Sequence, residues 1–185
     1  MIKYSFYLLI AACVVFCSAC DDFLDEKPDS NLVDSDVFSS VANTEAAVAG
    51  AYRSLVSKEY YGQQLALVSA LSAQELRDPV NANATYQEFI NHNVQPTNAI
   101  LSNLWASIYN GVQPANKIIA YAPDVEADEA LVNRFLAEAH FLRGLHYFNL
   151  VRLFGNIPLY LTPITSTEEE QIHIANSTIP QVYEQ

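Results

Sequence analysis

Apolar side chains recur every three or four residues in three stretches of the chain, and each stretch predicts a helix. The first runs from Asn43 to Ser57. Ala47, Ala51 and Leu55 share one face, with Tyr52 beside them. Asn43 or Thr44 can cap this helix, and Glu45 suits its positive end. Gly50 either weakens it by about 1 kcal/mol against alanine or admits a close neighbour. The second helix begins after Pro96, with Thr97 or Asn98 as cap. Leu101, Leu104, Trp105, Ile108, Val112, Ala115 and Ile119 step along one face. Gly111 and Pro114 predict a bend or a split near its middle. Trp105 at this spacing belongs to the core rather than to a ligand platform. The third helix, Asp128 to Phe154, holds no proline. Phe135, Ala139, Leu142, Leu145 and Asn149 form one stripe, and Phe141, Phe148 and Val151 a second. Two apolar faces predict a helix sandwiched between neighbours, about 40 Å long. Gly155 supplies a left-handed stop, and Pro158 prevents resumption.

The segments between these helices read differently. Asp21 to Asp36 is acidic, contains Pro28 and shows no sustained period, so it predicts a tether. Lys58 to Asn98 is broken by Gly62, Pro79, Pro96 and scattered asparagines. A short helix fits residues 63 to 76, and the remainder predicts a long polar loop bearing aromatics, of a kind that is functional or disordered. Residues 157 to 161 read as extended chain. Thr178-Ile179-Pro180 opens a last helix of fewer than two turns by Gln185, too short to hold itself in water. The fold class expected is mainly all-α: helical hairpins loosely like tetratricopeptide repeats, with an irregular loop region and an interrupted carboxyl end.

The amino terminus carries its own signal. Lys3 gives a short basic start, Tyr4 to Phe16 is almost wholly apolar, and Ser18 and Ala19 are small. This order describes a secretion signal over residues 1–19. The run is short for a membrane span, which takes roughly 20 residues. Cys20, followed by Asp21 and Asp22, resembles the acylated cysteine of bacterial lipoproteins, although Cys17 stands where such signals usually carry leucine. Two or more acyl chains on Cys20 would anchor the chain stably. The alternative is an ordinary signal cut near Ala19 that releases a soluble protein. The domain reading is therefore a signal over 1–19, an acidic tether over 20–36 and a helical domain over 37–185.

Composition narrows the chemistry. Cys13, Cys17 and Cys20 are the only cysteines, so the body of the chain has none to pair. His92, His140, His146 and His173 show no helical ligand spacing, and no metal or other cofactor is expected. A net charge of −12 argues against nucleic acid and against an anionic lipid surface as partners. No nucleophile elbow, zinc helix, phosphate loop or dinucleotide fingerprint is present, which argues against an enzyme. The triplets at Asn83 and Asn176 match a glycosylation acceptor, which a short pattern does by chance. Arg134, Arg143 and Arg152 on the third helix read as solvated or carboxylate-paired.

The stretch from Ala137 to Leu159, AEAHFLRGLHYFNLVRLFGNIPL, resembles the signature helix of the SusD/RagB family. Gly144 stands for the usual alanine and Asn156 for the usual aspartate. Cys20 to Asp25 with Pro28 is similar to that family's amino terminus. Asn43 to Leu55 is similar to its first helix, and Trp105, Ile108, Tyr109, Ala115 and Asn116 to the helix before the signature. The family carries an Asp-Glu pair near Ser72 to Glu75, where Gln74 departs, so no role is carried over there. The resemblance implies a lipoprotein anchored through Cys20 and facing outward from the cell outer membrane of Bacteroidota. It further implies capture of a glycan, an oligosaccharide, or a peptide, and delivery to a SusC-like TonB-dependent transporter. Members are longer, which makes this chain an amino-terminal portion.

Within that frame the loop from Tyr60 to Asn93 is the candidate ligand region. Tyr60, Tyr61 and Tyr86 can stack on sugar faces, and Asn81 and Asn83 can bond hydroxyls. The competing expectation is that these tyrosines pack beneath the loop with their hydroxyls satisfied. The competing function is a helical-repeat scaffold lipoprotein that binds only protein. Two further expectations concern the end of the chain. Phe141, Phe148 and Val151 should lack a full covering layer, and residues 178 to 185 should fray.

Overall fold

The structure, a computed structural model, describes residues 34–77, 83–166 and 168–185. The signal, Cys20, most of the tether and Asn81 lie outside the described residues. In chain order the elements are α1 (Asp34–Val37), α2 (Val41–Arg53), α3 (Gln64–Ser72), α4 (Ala84–Ile90), α5 (Ala99–Tyr121), α6 (Glu129–Phe154), α7 (Glu169–Ile172) and α8 (Ile179–Tyr183). Two-residue strands β1 (Ile157–Pro158) and β2 (Asn176–Ser177) form one antiparallel pair.

The periodic stretches became the frame. The Asn98 side chain caps α5 by accepting from the amides of Ile100 and Leu101, as its residue type predicts. Its own amide donates to the Glu88 carboxylate at 2.8 Å and to the Thr85 carbonyl, which ties α4 to the start of α5. Gly155, at φ +76°, ends α6 where expected. α5 and α6 are joined by a short turn over residues 122–128, and their packing is antiparallel. The first half of α5 (Ile100, Leu104, Ile108, Val112) meets the second half of α6 (Tyr147, Leu150, Val151). Ala115 and Ile118 of α5 meet Phe135, Ala139 and Leu142 of α6. α2 lies against this second end, contributing Val48 and Ala51. Each large side chain buried there stabilises the fold by about 1.5–3 kcal/mol.

Several expectations are corrected. α5 runs unbroken through Gly111 and Pro114. Pro114 removes the donor to the Asn110 carbonyl, but Asn110 lies on the exposed side, where water can replace it. α2 starts earlier than expected, because Ser40 is the cap and accepts from the Asn43 amide. It also ends at Arg53, where a 3-10 turn over Ser54–Val56 takes over. Gly50 faces open space and admits no neighbour. The segment read as loop contains α3, as placed, and also the two-turn helix α4, whose single buried apolar residue is Phe89.

From β1 onward the chain runs back along the helical hairpin as a strap over residues 157–164. Beyond the β1–β2 pairing, side chains satisfy its backbone. Tyr109 donates to the Pro158 carbonyl and Tyr147 to the Tyr160 carbonyl, each at 2.7 Å. Asn116 donates to the carbonyls of Tyr160 and Thr162. Arg143 donates to the Leu161 carbonyl and to the Asn116 side-chain oxygen. Arg143 is thus neither solvated nor carboxylate-paired. Arg134 does pair as expected, with Glu45 and Glu138. Arg152 is exposed to solvent, as expected, and lies over the Phe148 ring, 4.8 Å from its centroid.

The carboxyl end is docked. Gln181 accepts from the Thr178 amide at 2.8 Å, and Asn156 accepts from the Ile179 amide. Val182 is buried in the cluster that holds Val151, which is only 4% exposed. Val151 was expected to be half-covered, and α8 covers it. Phe141 and Phe148 remain 61% and 44% exposed, as expected of that face.

Candidate functional site

A cleft of about 810 Å³ opens where α3 and α4 meet the start of α5 and the end of α6. That volume falls in the range of small-ligand pockets. Leu65, Val68, Phe89, Leu104, Leu153 and Phe154 give it mainly apolar walls. Tyr61, Asn149, Arg152, Ser69 and Ser72 supply the polar groups, and no carboxylate among the described residues lines it.

The position of Tyr61 follows from a tight turn. The amides of Tyr60 and Gly62 both donate to the Ser57 carbonyl. A Cβ on Gly62 would lie 2.6 Å from that carbonyl oxygen, so the turn requires glycine there. Tyr60 is driven into the core and is fully buried, while Tyr61 is left 45% exposed at the cleft. The two rings lie 4.6 Å apart.

Beneath them a polar chain crosses the core. Asn149 donates to the hydroxyls of Tyr60 (2.7 Å) and Tyr61 (2.9 Å). The Tyr60 hydroxyl lies 3.3 Å from His146 Nδ1, and His146 Nε2 lies 3.4 Å from Ser54 Oγ. Ser54 donates to the Ala51 carbonyl at 2.7 Å. His146 fits because position 111 is glycine: a Cβ there would lie 2.3 Å from His146 Nε2. Burial lowers the His146 pKa to about 4, so the ring is neutral at neutral pH. Burial also pushes the Tyr60 phenol well above its ordinary range, opposed by the Asn149 hydrogen bond.

The residues singled out from sequence are therefore placed as follows. Tyr60 has its ring in the core and its hydroxyl satisfied. Tyr61 lines the cleft. Tyr86 is half-buried and packs against the cluster around the cleft. Asn83 caps α4, its Oδ1 accepting from the amide and hydroxyl of Thr85. Asn81 lies outside the described residues. Sequence reasoning missed His146, Asn149 and Arg152 as neighbours of Tyr60 and Tyr61. One signal was present: Asn149 is a polar residue on an apolar stripe, and a buried amide needs partners.

Among the described residues, no group of three or more His, Cys, Asp or Glu is placed to hold a metal ion. No helix among them is long and apolar enough to cross a membrane. The arrangement can bind, with an aromatic face, a few donors and apolar walls.

Comparisons with known proteins bear on what it binds. The SusD-like family model described as "starch-binding associating with outer membrane" matches residues 22–185. SusD-like protein P2 of Formosa agariphila is 31% identical over 98% of this chain and 35% of its own length. A SusD-like protein of Bacteroides ovatus is 28% identical over 94% of this chain and 30% of its own. This chain thus spans about a third of the length of these curated relatives. Among solved structures, a laminarin-binding SusD-like protein superposes with a TM-score of 0.66 at 27% identity. It covers 80% of this chain, which corresponds to 32% of its own. A SusD homolog from Bacteroides thetaiotaomicron reaches a TM-score of 0.69 at 23% identity, over 82% of this chain and 29% of its own, a likeness of fold. The mainly helical architecture and the signature helix α6 agree with these matches, and the chain belongs to the SusD-like family of starch-binding, outer-membrane-associated proteins.

Proposed function

We propose that this chain belongs to a surface nutrient-binding lipoprotein that captures glycans and delivers them to a SusC-like TonB-dependent transporter. The observation that carries the reading is the family match over residues 22–185, with the signature from Ala137 to Phe154 held in the one unbroken helix α6. The laminarin-binding relative supports a glycan ligand over a peptide. A cleft with hydrogen-bond donors and mainly apolar walls supports binding. Residues 1–19 act as the export signal, Cys20 takes the lipid, residues 20–36 are the tether, and residues 37–185 form the helical domain. The anchored protein faces the cell exterior.

The test is expression in a Bacteroidota host together with a SusC-like transporter. Labelled palmitate is expected on the wild type and absent from Cys20→Ala, and equal labelling overturns the anchor. Pull-down from solubilised outer membranes is expected to recover a large TonB-dependent barrel. The second reading, a scaffold that binds only protein, draws on the exposed Phe141 and Phe148 of α6. Recovery of soluble partners alone, with no glycan affinity, would favour it.

A further inference from the structure

We propose that Tyr61 is a sugar-contacting residue of the cleft and that Asn149 is its positioning residue, turning the Tyr61 hydroxyl outward as a donor. This inference rests on the glycan-capture reading above, and goes beyond it by naming the residue pair and the direction of the hydrogen bond.

The direction follows from counting hydrogens. Ser54 has one hydroxyl hydrogen, and it is committed to the Ala51 carbonyl. Between Ser54 Oγ and His146 Nε2 the hydrogen must therefore sit on the ring nitrogen. A neutral imidazole carries a single N–H, so Nδ1 is bare and accepts. Tyr60 must then donate to Nδ1, which leaves its oxygen to accept from the Asn149 amide. The second amide hydrogen of Asn149 goes to the Tyr61 oxygen. The opposite orientation of the Asn149 amide fails. Its oxygen would then require the Tyr60 hydrogen, and Tyr60 and His146 Nδ1 would face each other with lone pairs only.

Every group upstream of Tyr61 is buried or partly buried, so the order is set inside the core rather than by solvent. With its oxygen already accepting, Tyr61 keeps its own hydrogen uncommitted to any partner among the described residues. That hydrogen points away from Asn149, at the edge of a cleft that the same side chain lines. Such a site offers an aromatic ring and one O–H donor beside apolar walls. A sugar ring matches it, with C–H groups on its face and hydroxyl or ring oxygens that accept.

The experiment uses the full chain purified in detergent, with maltohexaose and laminarihexaose as probes in titration calorimetry. Tyr61→Phe keeps the ring and removes the donor, and affinity for the bound probe is expected to fall roughly fivefold. Tyr61→Ala is expected to lose more. Asn149→Asp replaces the donor by an acceptor, which draws both tyrosine hydrogens inward. It should reproduce the loss of Tyr61→Phe and add nothing to it in the double variant. Should Asn149→Asp not fold, Asn149→Ser, neutral and with one donor, takes its place, with the same non-additivity expected. Full affinity in Tyr61→Phe and Tyr61→Ala overturns the site. Additive losses overturn the positioning role of Asn149. Failure of wild type to bind either probe overturns the glycan reading and the site with it.

Discussion

The two ends of the α5–α6 hairpin are built on different principles. At the α2 end, Val48, Ala51, Ala115, Phe135, Ala139 and Leu142 form an apolar cluster. Small alanines let three helices approach, and the buried Thr44 hydroxyl is satisfied locally by donating to the Ser40 carbonyl. At the cleft end, aromatic rings and the Ser54–His146–Tyr60–Asn149–Tyr61 chain occupy the equivalent layer. There each polar atom needs its partner, because a buried unsatisfied group costs about 1–3 kcal/mol. Packing alone can hold the first end, and it tolerates change that preserves volume. The second is specified by hydrogen-bond direction, which makes it less forgiving and gives it a defined face to present.

The largest effect should come from Phe135→Ala at the apolar end. The ring is fully buried, and its removal should cost about 3–5 kcal/mol in urea unfolding. On the glycan-capture proposal, affinity of the folded fraction for its glycan should be unchanged. A parallel fall in affinity would show that the two ends are not independent.

Next is a pH effect confined to the cleft end. His146 titrates at about 4 in the folded chain and near 6.5 when unfolded. Between those values the unfolded chain binds a proton that the folded chain does not, so stability falls as pH drops. The loss should reach about 3 kcal/mol by pH 4. His146→Gln should flatten this slope although its stability at pH 7 is lower. Glu59, held down by the Ser57 hydroxyl, and Glu88, held down by Asn98, add acid sensitivity below their ordinary range. That part should persist in the variant, and an unchanged slope above it would remove His146 from the account.

A smaller effect is expected at the edge of the cleft. Asn98→Ala removes the cap of α5 and its link to Glu88, for about 1–2 kcal/mol. Faster amide exchange should appear in α4 and the first turn of α5, and none at the α2 end. The smallest belongs to the exposed face of α6. Phe141→Ser should change stability by less than about 0.5 kcal/mol. It should also reduce binding of a hydrophobic dye, and a large destabilisation would mean that this ring is covered in solution.

The same division explains what could be read from the sequence. The α5 and α6 helices are long enough for periodicity to declare them, and Asn98 and Gly155 mark their ends by residue type. The apolar end needed nothing more than that stripe. The helix α4 escaped because two turns with a single buried residue, Phe89, carry no period. Pro114 misled because its effect depends on whether the carbonyl it orphans can reach water, which a sequence does not state. The cleft end was legible only in part. Tyr61 could be singled out as an aromatic in a loop. Its partners His146 and Asn149 lie far along the chain on a helix, and only folding brings them together. Arg143 shows the same limit: its targets are a side-chain oxygen and a backbone carbonyl on the strap, not a carboxylate.

The strap after β1 has a consequence for how the protein meets neighbouring chains. Extended chain normally exposes a row of backbone acceptors, a template on which a foreign strand can add itself. Here the carbonyls of Pro158, Tyr160, Leu161 and Thr162 are already occupied by Tyr109, Tyr147, Asn116 and Arg143. Because the donors are of three kinds, tyrosine, asparagine and arginine, the segment also has no repeating register along which it could slide. The arrangement allows the protein to run an extended segment along its helices without offering a sticky edge to neighbouring chains.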